Sequence, residues 1–350
     1  MLSGMSLQEL GVKIKKARQA LKFKSLKEFA EVVQIPSEKI KNYEEGKEAP
    51  PVKLIAYLCK ELNIPVRAFI YGGKPRVVFR THKKCNVSHL HNIVDETLIE
   101  ALADTLRTLE SLGEISPKKF ERFQSTFNPE KTGEIFIKTY KLEERKFNTW
   151  DKVMNLLSEK DIYVFALPFK SKISALVHED PPFFIVLNSN EPKDRWSFSL
   201  LHEIGHLIAP EEVKSSLQEE EENYANLFAK SVLIPKQLRI VLWKNLKKYI
   251  LSWREEDYCC FFRQIREINP LISPESVFYV LVQDFYDIEL GKKFFGKFKK
   301  CVKRLREKDI EFVRPDGQKY FPRKLIEIID RLEKEGKISS NRKKELLLQK

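Results

Sequence analysis

Residues 198–208 read Phe198-Ser199-Leu200-Leu201-His202-Glu203-Ile204-Gly205-His206-Leu207-Ile208. The apolar positions Phe198, Leu200, Leu201, Ile204, Leu207 and Ile208 predict a buried helix, Phe198 to Ile208. His202 and His206 are four residues apart, so a helix sets both imidazoles on one face, one turn apart, where they can share a metal ion. Glu203 stands beside His202, close enough to take a proton from a water at that ion without being a ligand. With six histidines in 350 residues, the pattern is expected by chance about 0.01 times. A buried helix also has no packing use for two imidazoles and a carboxylate, because an unpaired buried carboxylate is costly.

Catalytic zinc takes three protein ligands and keeps a fourth position for water, so the pair needs a third ligand from elsewhere. Glu219-Glu220-Glu221-Glu222, followed by Asn223-Tyr224-Ala225-Asn226-Leu227-Phe228-Ala229, predicts a second helix from Glu219 to Leu233, stopped by Pro235. Its apolar face holds Ala225, Phe228, Ala229 and Val232, which leaves Glu222 and Glu221 nearest the buried side. Asn226, one turn after Glu222, is placed to hold a ligating His or carboxylate by a hydrogen bond. Upstream, Trp150 to Leu157 reads as a helix. Ile162 to Leu167, Ile173 to His178 and Phe183 to Leu187 read as strands, the last ending at Asn188-Ser189-Asn190.

The run Arg195 to Leu207, with Glu222-x-x-Ala225-Asn226-x-Phe228-Ala229-x-x-Val232-Leu233-Ile234-Pro235, resembles the ImmA/IrrE family of metallopeptidases over roughly residues 150–235. That resemblance implies Zn2+ as cofactor, His202, His206 and Glu222 as its ligands, and Glu203 as general base. The family's strand ending in Asn is matched by Ile185, Val186, Leu187 and Asn188. A substrate is expected to lie extended against that strand as an edge, by main-chain pairing. Two positions depart from the family pattern: Tyr224 stands where a second acid is common, and Ala175 where Gly is common. Neither removes a ligand. The implied reaction is metal-assisted hydrolysis of a peptide bond. Arg195, His178 and Tyr224 are the candidates for stabilising the oxyanion, none of them singled out.

The first 73 residues predict five short helices. Leu10, Ile14, Ala17 and Leu21 mark the first, and Ser25 to Glu28 is a capping box for the second. Ser37 to Glu44 makes the third, with Ile40 inward and Gly46 as its cap. Lys53 to Leu62 and a segment opened by Pro65 follow. Ile14, Arg18, Ser25, Ala30, Ile35, Ile40, Glu44, Gly46, Pro50 and Leu62 resemble an XRE (Cro/CI-type) helix-turn-helix. That fold implies a third helix laid in the major groove, offering Ser37, Glu38, Lys39, Lys41 and Asn42 to double-stranded DNA.

The chain carries 63 Lys+Arg against 50 Asp+Glu, a net charge of +13 that attracts polyanions. Much of the excess falls at Lys292, Lys293, Lys297, Lys299, Lys300, Lys303 and Arg304. Five cysteines without a CxxC pair do not make a disulfide framework. Without an apolar leader or a run of about 18 apolar residues, the expectation is a cytoplasmic protein that touches no membrane. His82, Cys85, His89 and His91 crowd one stretch without a recognised ligand spacing, Val77 to Phe79 reads as a short strand, and Glu96 to Leu112 as a helix.

The expected fold is α+β and mostly helical. Residues 1–73 form the helix-turn-helix domain, 74–145 a helical connector, 146–240 a small zincin-like α+β metallopeptidase domain, and 241–350 a helical, basic C-terminal region. The expected function is a regulatory zinc endopeptidase that cleaves a repressor or antitoxin-like protein partner; a homodimer is compatible. The alternative is a non-proteolytic DNA-binding regulator whose peptidase fold senses metal or protein.

Overall fold

Five short helices open the chain, and their ends are written in the sequence. The computed structural model describes residues 6–62, 64, 66–71, 93–117, 125–140, 150–170, 173–178, 181–250, 254–268, 272–285, 295–301, 303 and 317–349. Ser6 and Glu9 cap each other reciprocally and start α1 (Leu7–Ala20). Ser25 accepts from the Glu28 amide and starts α2 (Leu26–Val33). α3 (Ser37–Glu44) is followed by Gly46, whose φ of +68° only glycine adopts without strain. α4 (Val52–Leu62) and α5 (Val66–Tyr71) complete the unit. Arg18 of α1 grips both carboxylate oxygens of Glu44 on α3, at 2.6 and 3.0 Å, with both side chains nearly out of solvent.

α6 (Ile93–Ser111) buries Leu98, Leu102, Leu106 and Leu109 and packs against α1 and α5. α7 (Pro129–Tyr140) was not expected from the sequence. Asn128 caps it by accepting from the amides of Glu130 and Lys131. The predicted strand at Val77 to Phe79 and the His82, Cys85, His89, His91 group lie outside the described residues.

After α8 (Trp150–Glu159) come β1 (Tyr163–Leu167), β2 (Ala175–His178) and β3 (Phe184–Asn188), within a residue or two of the predicted strands. The sheet order is β1-β3-β2, with β1 parallel and β2 antiparallel to β3. Every strand residue is buried, which is why these segments read as continuous apolar runs rather than alternating ones. Val164, Ala166, Ala175, Val177, Ile185 and Leu187 face one core, shared with α8, α9 (Lys193–Ile208) and α11 (Gln218–Leu233). Tyr163, Phe165, Leu176, Phe184 and Val186 face the other, which runs into the N-terminal helices. The short α10 (Glu211–Lys214) links α9 and α11.

A third core is helical: α12 (Lys236–Ile250), α13 (Glu255–Ile268), α14 (Pro274–Phe285) and the helical residues 295–301. The chain then returns. Tyr320 pairs its backbone with Ala166 on the outer side of β1, at 2.9 and 3.1 Å. α15 (Arg323–Lys334) and α16 (Ser340–Leu346) cover the second face of the sheet and reach α6. The sequence division thus needs two adjustments. α7 shares the core of α9 and α11 rather than serving only as a connector, and residues 317–349 belong in space to the sheet rather than to a separate C-terminal region.

α7, α11, α12 and α14 are pinned together by buried charge. Asp284 accepts from Lys230 and from Arg239, each at 2.5 Å, and Arg239 also donates to Glu130 at 2.7 Å. Lys230 is 8% and Arg239 3% exposed. Removing Asp284 takes the carboxylate from the buried Lys230 ammonium and leaves Arg239 with Glu130 alone, so Asp284→Ala is expected to cost about 3 kcal/mol, read as a lowered urea midpoint. An unchanged midpoint would mean that water already solvates this cluster.

Candidate metal centre

His202, Glu203 and His206 all lie on α9 and are 4%, 5% and 2% exposed. The helix starts five residues earlier than the apolar pattern suggested, after Pro192, with Asp194 in its first turn. α11 crosses α9 at Gly205. A Cβ at that position would sit 2.9 Å from Ala225 Cα and 3.1 Å from the Phe228 ring. The missing side chain therefore sets how closely the two helices approach, and that approach carries Glu222 of α11 up to the imidazoles.

The two histidine Nε2 atoms are 3.1 Å apart. Glu222 places one carboxylate oxygen 3.4 Å from His202 Nε2 and the other 3.6 Å from His206 Nε2. The opposite ring nitrogens are engaged as well: His202 Nδ1 lies 3.1 Å from Asn226 Oδ1, and His206 Nδ1 lies 3.2 Å from Glu221 Oε1. A carbonyl oxygen and a carboxylate oxygen only accept, so each Nδ1 carries its proton and each Nε2 presents a lone pair. Two lone pairs and a carboxylate then converge on one buried point. Such a point calls for a cation.

The spacing fits a small one. Ligands 2.0–2.1 Å from a tetrahedral ion lie about 3.3 Å from one another; the Nε2 pair at 3.1 Å and the Glu222 oxygen 3.4 Å from His202 Nε2 are near that edge, while the other Glu222 oxygen is the one nearer His206. Among the described residues, His202, His206 and Glu222 form the one such group, with ligand atoms within 4.8 Å of one another. His202 titrates above its ordinary value. Burial is the largest influence and lowers it, but the Glu222 hydrogen bond and the charges of Glu203 and Glu222 together outweigh burial. In the metal-free chain a proton thus competes for this nitrogen, and metal uptake releases it.

The structure separates two roles that helix phasing left together. Glu222 reaches the Nε2 side, while Glu221 orients His206 from behind and Asn226 does the same for His202. Orienting partners of this kind raise metal affinity about 10–100-fold. Glu221→Gln is accordingly expected to weaken binding of an added divalent metal by about that factor in a chelator competition, with the ion still bound at saturation. Complete loss of the ion would instead make Glu221 a ligand.

The substrate strand must be corrected. Ile185, Val186, Leu187 and Asn188 belong to β3, which is the central strand, paired on one side with β1 and on the other with β2. Both its edges are occupied, so no extended peptide can be added there. Asn188 is a structural tie instead: its side chain accepts from the Phe169 and Asn190 amides and donates to Ile173 O at 2.7 Å. Two of the oxyanion candidates also lie elsewhere. The Tyr224 hydroxyl donates to Thr126 O at 3.0 Å, holding the approach to α7. His178 stacks on Phe184 at 4.5 Å, on the sheet face away from α9. Arg195 is exposed in the early turns of α9, well before His202.

On α3, Ser37, Glu38, Lys39 and Lys41 are exposed and Asn42 is half-buried. Glu48 accepts from Lys39 Nζ at 2.7 Å and from Asn42 Nδ2 at 2.9 Å, and Lys41 lies 3.9 Å from Glu45. No helix among the described residues is long and apolar enough to cross a membrane.

Residues 157–256 match the family described as IrrE N-terminal-like domain (Peptidase_M78), a metallopeptidase family. The match takes in β1 to β3, α9 and α11, and so all three metal-facing side chains; the five N-terminal helices lie outside it. No curated protein and no solved structure matches the chain significantly.

Proposed function

We propose that this IrrE-type segment is a zinc-dependent endopeptidase that cuts a repressor or antitoxin-like protein partner and thereby controls gene expression. The observation that carries the reading is the convergence of His202 Nε2, His206 Nε2 and the Glu222 carboxylate on one buried point. Two imidazoles and one carboxylate are a donor set for Zn2+ rather than for Ca2+ or Mg2+, which take oxygen ligands. Three protein ligands leave a position for substrate and water. A zinc ion held there supplies a Lewis acid for the scissile carbonyl and lowers the pKa of water. Glu203 follows His202 on the same helix, takes the proton from the attacking water and delivers it to the departing amine. β2 ends the sheet among the described residues, runs antiparallel to β3, and turns Ala175 and Val177 toward α9. An extended substrate is best accommodated along that strand, by main-chain pairing.

The five N-terminal helices are read as the XRE-type helix-turn-helix, with α3 presented to double-stranded DNA. Lys39 and Asn42 would have to exchange Glu48 for phosphate or a base edge. A cytoplasmic setting suits such a regulator.

Mapping of new protein N-termini by mass spectrometry, in cells expressing the chain or its Glu203→Gln variant, tests the function. The expected result is one or a few new termini, confined to the unaltered chain and located in a transcription regulator or antitoxin. Identical termini in both cultures, with zinc bound in both proteins, would leave a non-cutting regulator as the better reading.

A further inference from the structure

Residues 291–308 read Gly-Lys-Lys-Phe-Phe-Gly-Lys-Phe-Lys-Lys-Cys-Val-Lys-Arg-Leu-Arg-Glu-Lys, nine cationic side chains against one acidic. This stretch supplies well over half of the net charge of +13. Part of it is a helix anchored from one side. Phe298 is fully buried, stacks on Phe278 at 4.2 Å, and meets the rings of Phe261 and Tyr258 edge-on at 5.2 and 5.6 Å. Cys301 is buried beside it and meets Cys259 across a 3.9 Å Sγ–Sγ approach. At about 100° per residue, Phe295, Phe298 and Cys301 share one side of the helix, and Lys297, Lys299, Lys300 and Lys303 take the other. All four lysines are exposed.

Like charges three and four residues apart on a helix oppose its formation. Elsewhere the chain interleaves its charges: Arg323 pairs with Glu327, Arg331 with Glu114, and Lys343 with Asp330 and Glu333. Residues 295 to 303 carry four lysines and no acidic side chain, and the buried apolar side turns those lysines outward as a row. We infer that this lysine row binds the phosphate backbone of nucleic acid, as a contact separate from α3. The charge density agrees. Residues 297 to 303 span about 9 Å of helix axis, so their four charges step by about 3 Å, close to the roughly 3.4 Å of duplex axis per phosphate along one strand. Tyr279, 55% exposed and 5.9 Å from the Phe295 ring, adds an aromatic surface at the shoulder of the row. A lipid surface fits less well, because the apolar side of this helix is already spent in the protein core and has nothing left to insert.

The test is binding of the full chain to a fluorescein-labelled 30-base-pair duplex of arbitrary sequence, by anisotropy, over a series of salt concentrations. Each phosphate contact contributes about 0.9 to the slope of log K against log salt. A variant carrying Lys297→Gln, Lys299→Gln, Lys300→Gln and Lys303→Gln is expected to bind at least about 10-fold more weakly, with a slope lower by about 2–4. The same four positions changed to Arg should retain both values, which separates charge from folding. Lys39→Gln with Lys41→Gln on α3 should leave the lysine-row effect in place. Duplex binding unchanged by the four Gln substitutions overturns the inference. So does binding lost only in the α3 variant, or binding of phosphatidylserine vesicles with none of the duplex.

Discussion

Exchanging Glu203 for Gln is expected to lower peptide-bond cleavage by about 10²–10⁴-fold while the bound metal stays in place. The amide keeps the shape of the side chain and loses its ability to take a proton. The neighbours of Glu203 give the reason to expect a clean effect. His202 and His206 are held from behind by Asn226 and Glu221, and Glu222 comes from another helix. None of these contacts passes through Glu203. The measurement is kcat on a peptide spanning the bond found by terminus mapping, beside zinc content by mass spectrometry. Full activity in Glu203→Gln would take the proton-transfer role away from this residue. Loss of zinc together with activity would make it part of the metal's support instead.

Gly205→Val is expected to have the second large effect, although residue 205 touches no substrate. Even a methyl group there meets Ala225 Cα at 2.9 Å, and that atom belongs to the backbone of α11. Relief requires the two helices to separate. Overpacking of this kind costs about 1–3 kcal/mol, and separation carries Glu222 away from the two Nε2 atoms. Zinc affinity should fall by about 10–100-fold or more, comparable at least to losing an orienting partner. Urea unfolding and chelator competition on one sample read both effects. If neither changes, the α9–α11 crossing is not what sets the site.

The two helices and three strands of the peptidase-like unit were legible because each is buried on a regular face. Phe198 to Ile208 and Ala225 to Val232 recur at helical spacing, and the strands are short apolar runs. The N-terminal helices were legible from their caps, Ser25 and Gly46 above all. α7 was not, because its first turns carry Thr132 and Gly133, weak helix formers; Asn128 before Pro129 is the start signal that could have found it. Sheet order is not a local property. Nothing in Phe184 to Asn188 tells that β1 and β2 flank it, so the same apolar run reads equally well as an edge strand. Glu221 and Glu222 differ by about 100° on a helix that buries both. Only the crossing angle of α9 and α11 gives one to Nε2 and the other to Nδ1. The return of residues 317–349 onto the sheet joins Leu325, Ile328, Ile329 and Leu332 to strands far earlier in the chain, and helical spacing marks that apolar face without naming what it covers.

The central claim is that His202, His206 and Glu222 hold one zinc ion per chain. Zinc content of the purified full-length protein, compared with Glu222→Ala and Glu221→Ala after dialysis against a weak chelator, tests it most directly. The account predicts one equivalent in the unaltered chain, none in Glu222→Ala, and a weakly held equivalent in Glu221→Ala. Zinc retained by Glu222→Ala and lost by Glu221→Ala, or no zinc in the unaltered chain after incubation with excess metal, would contradict it.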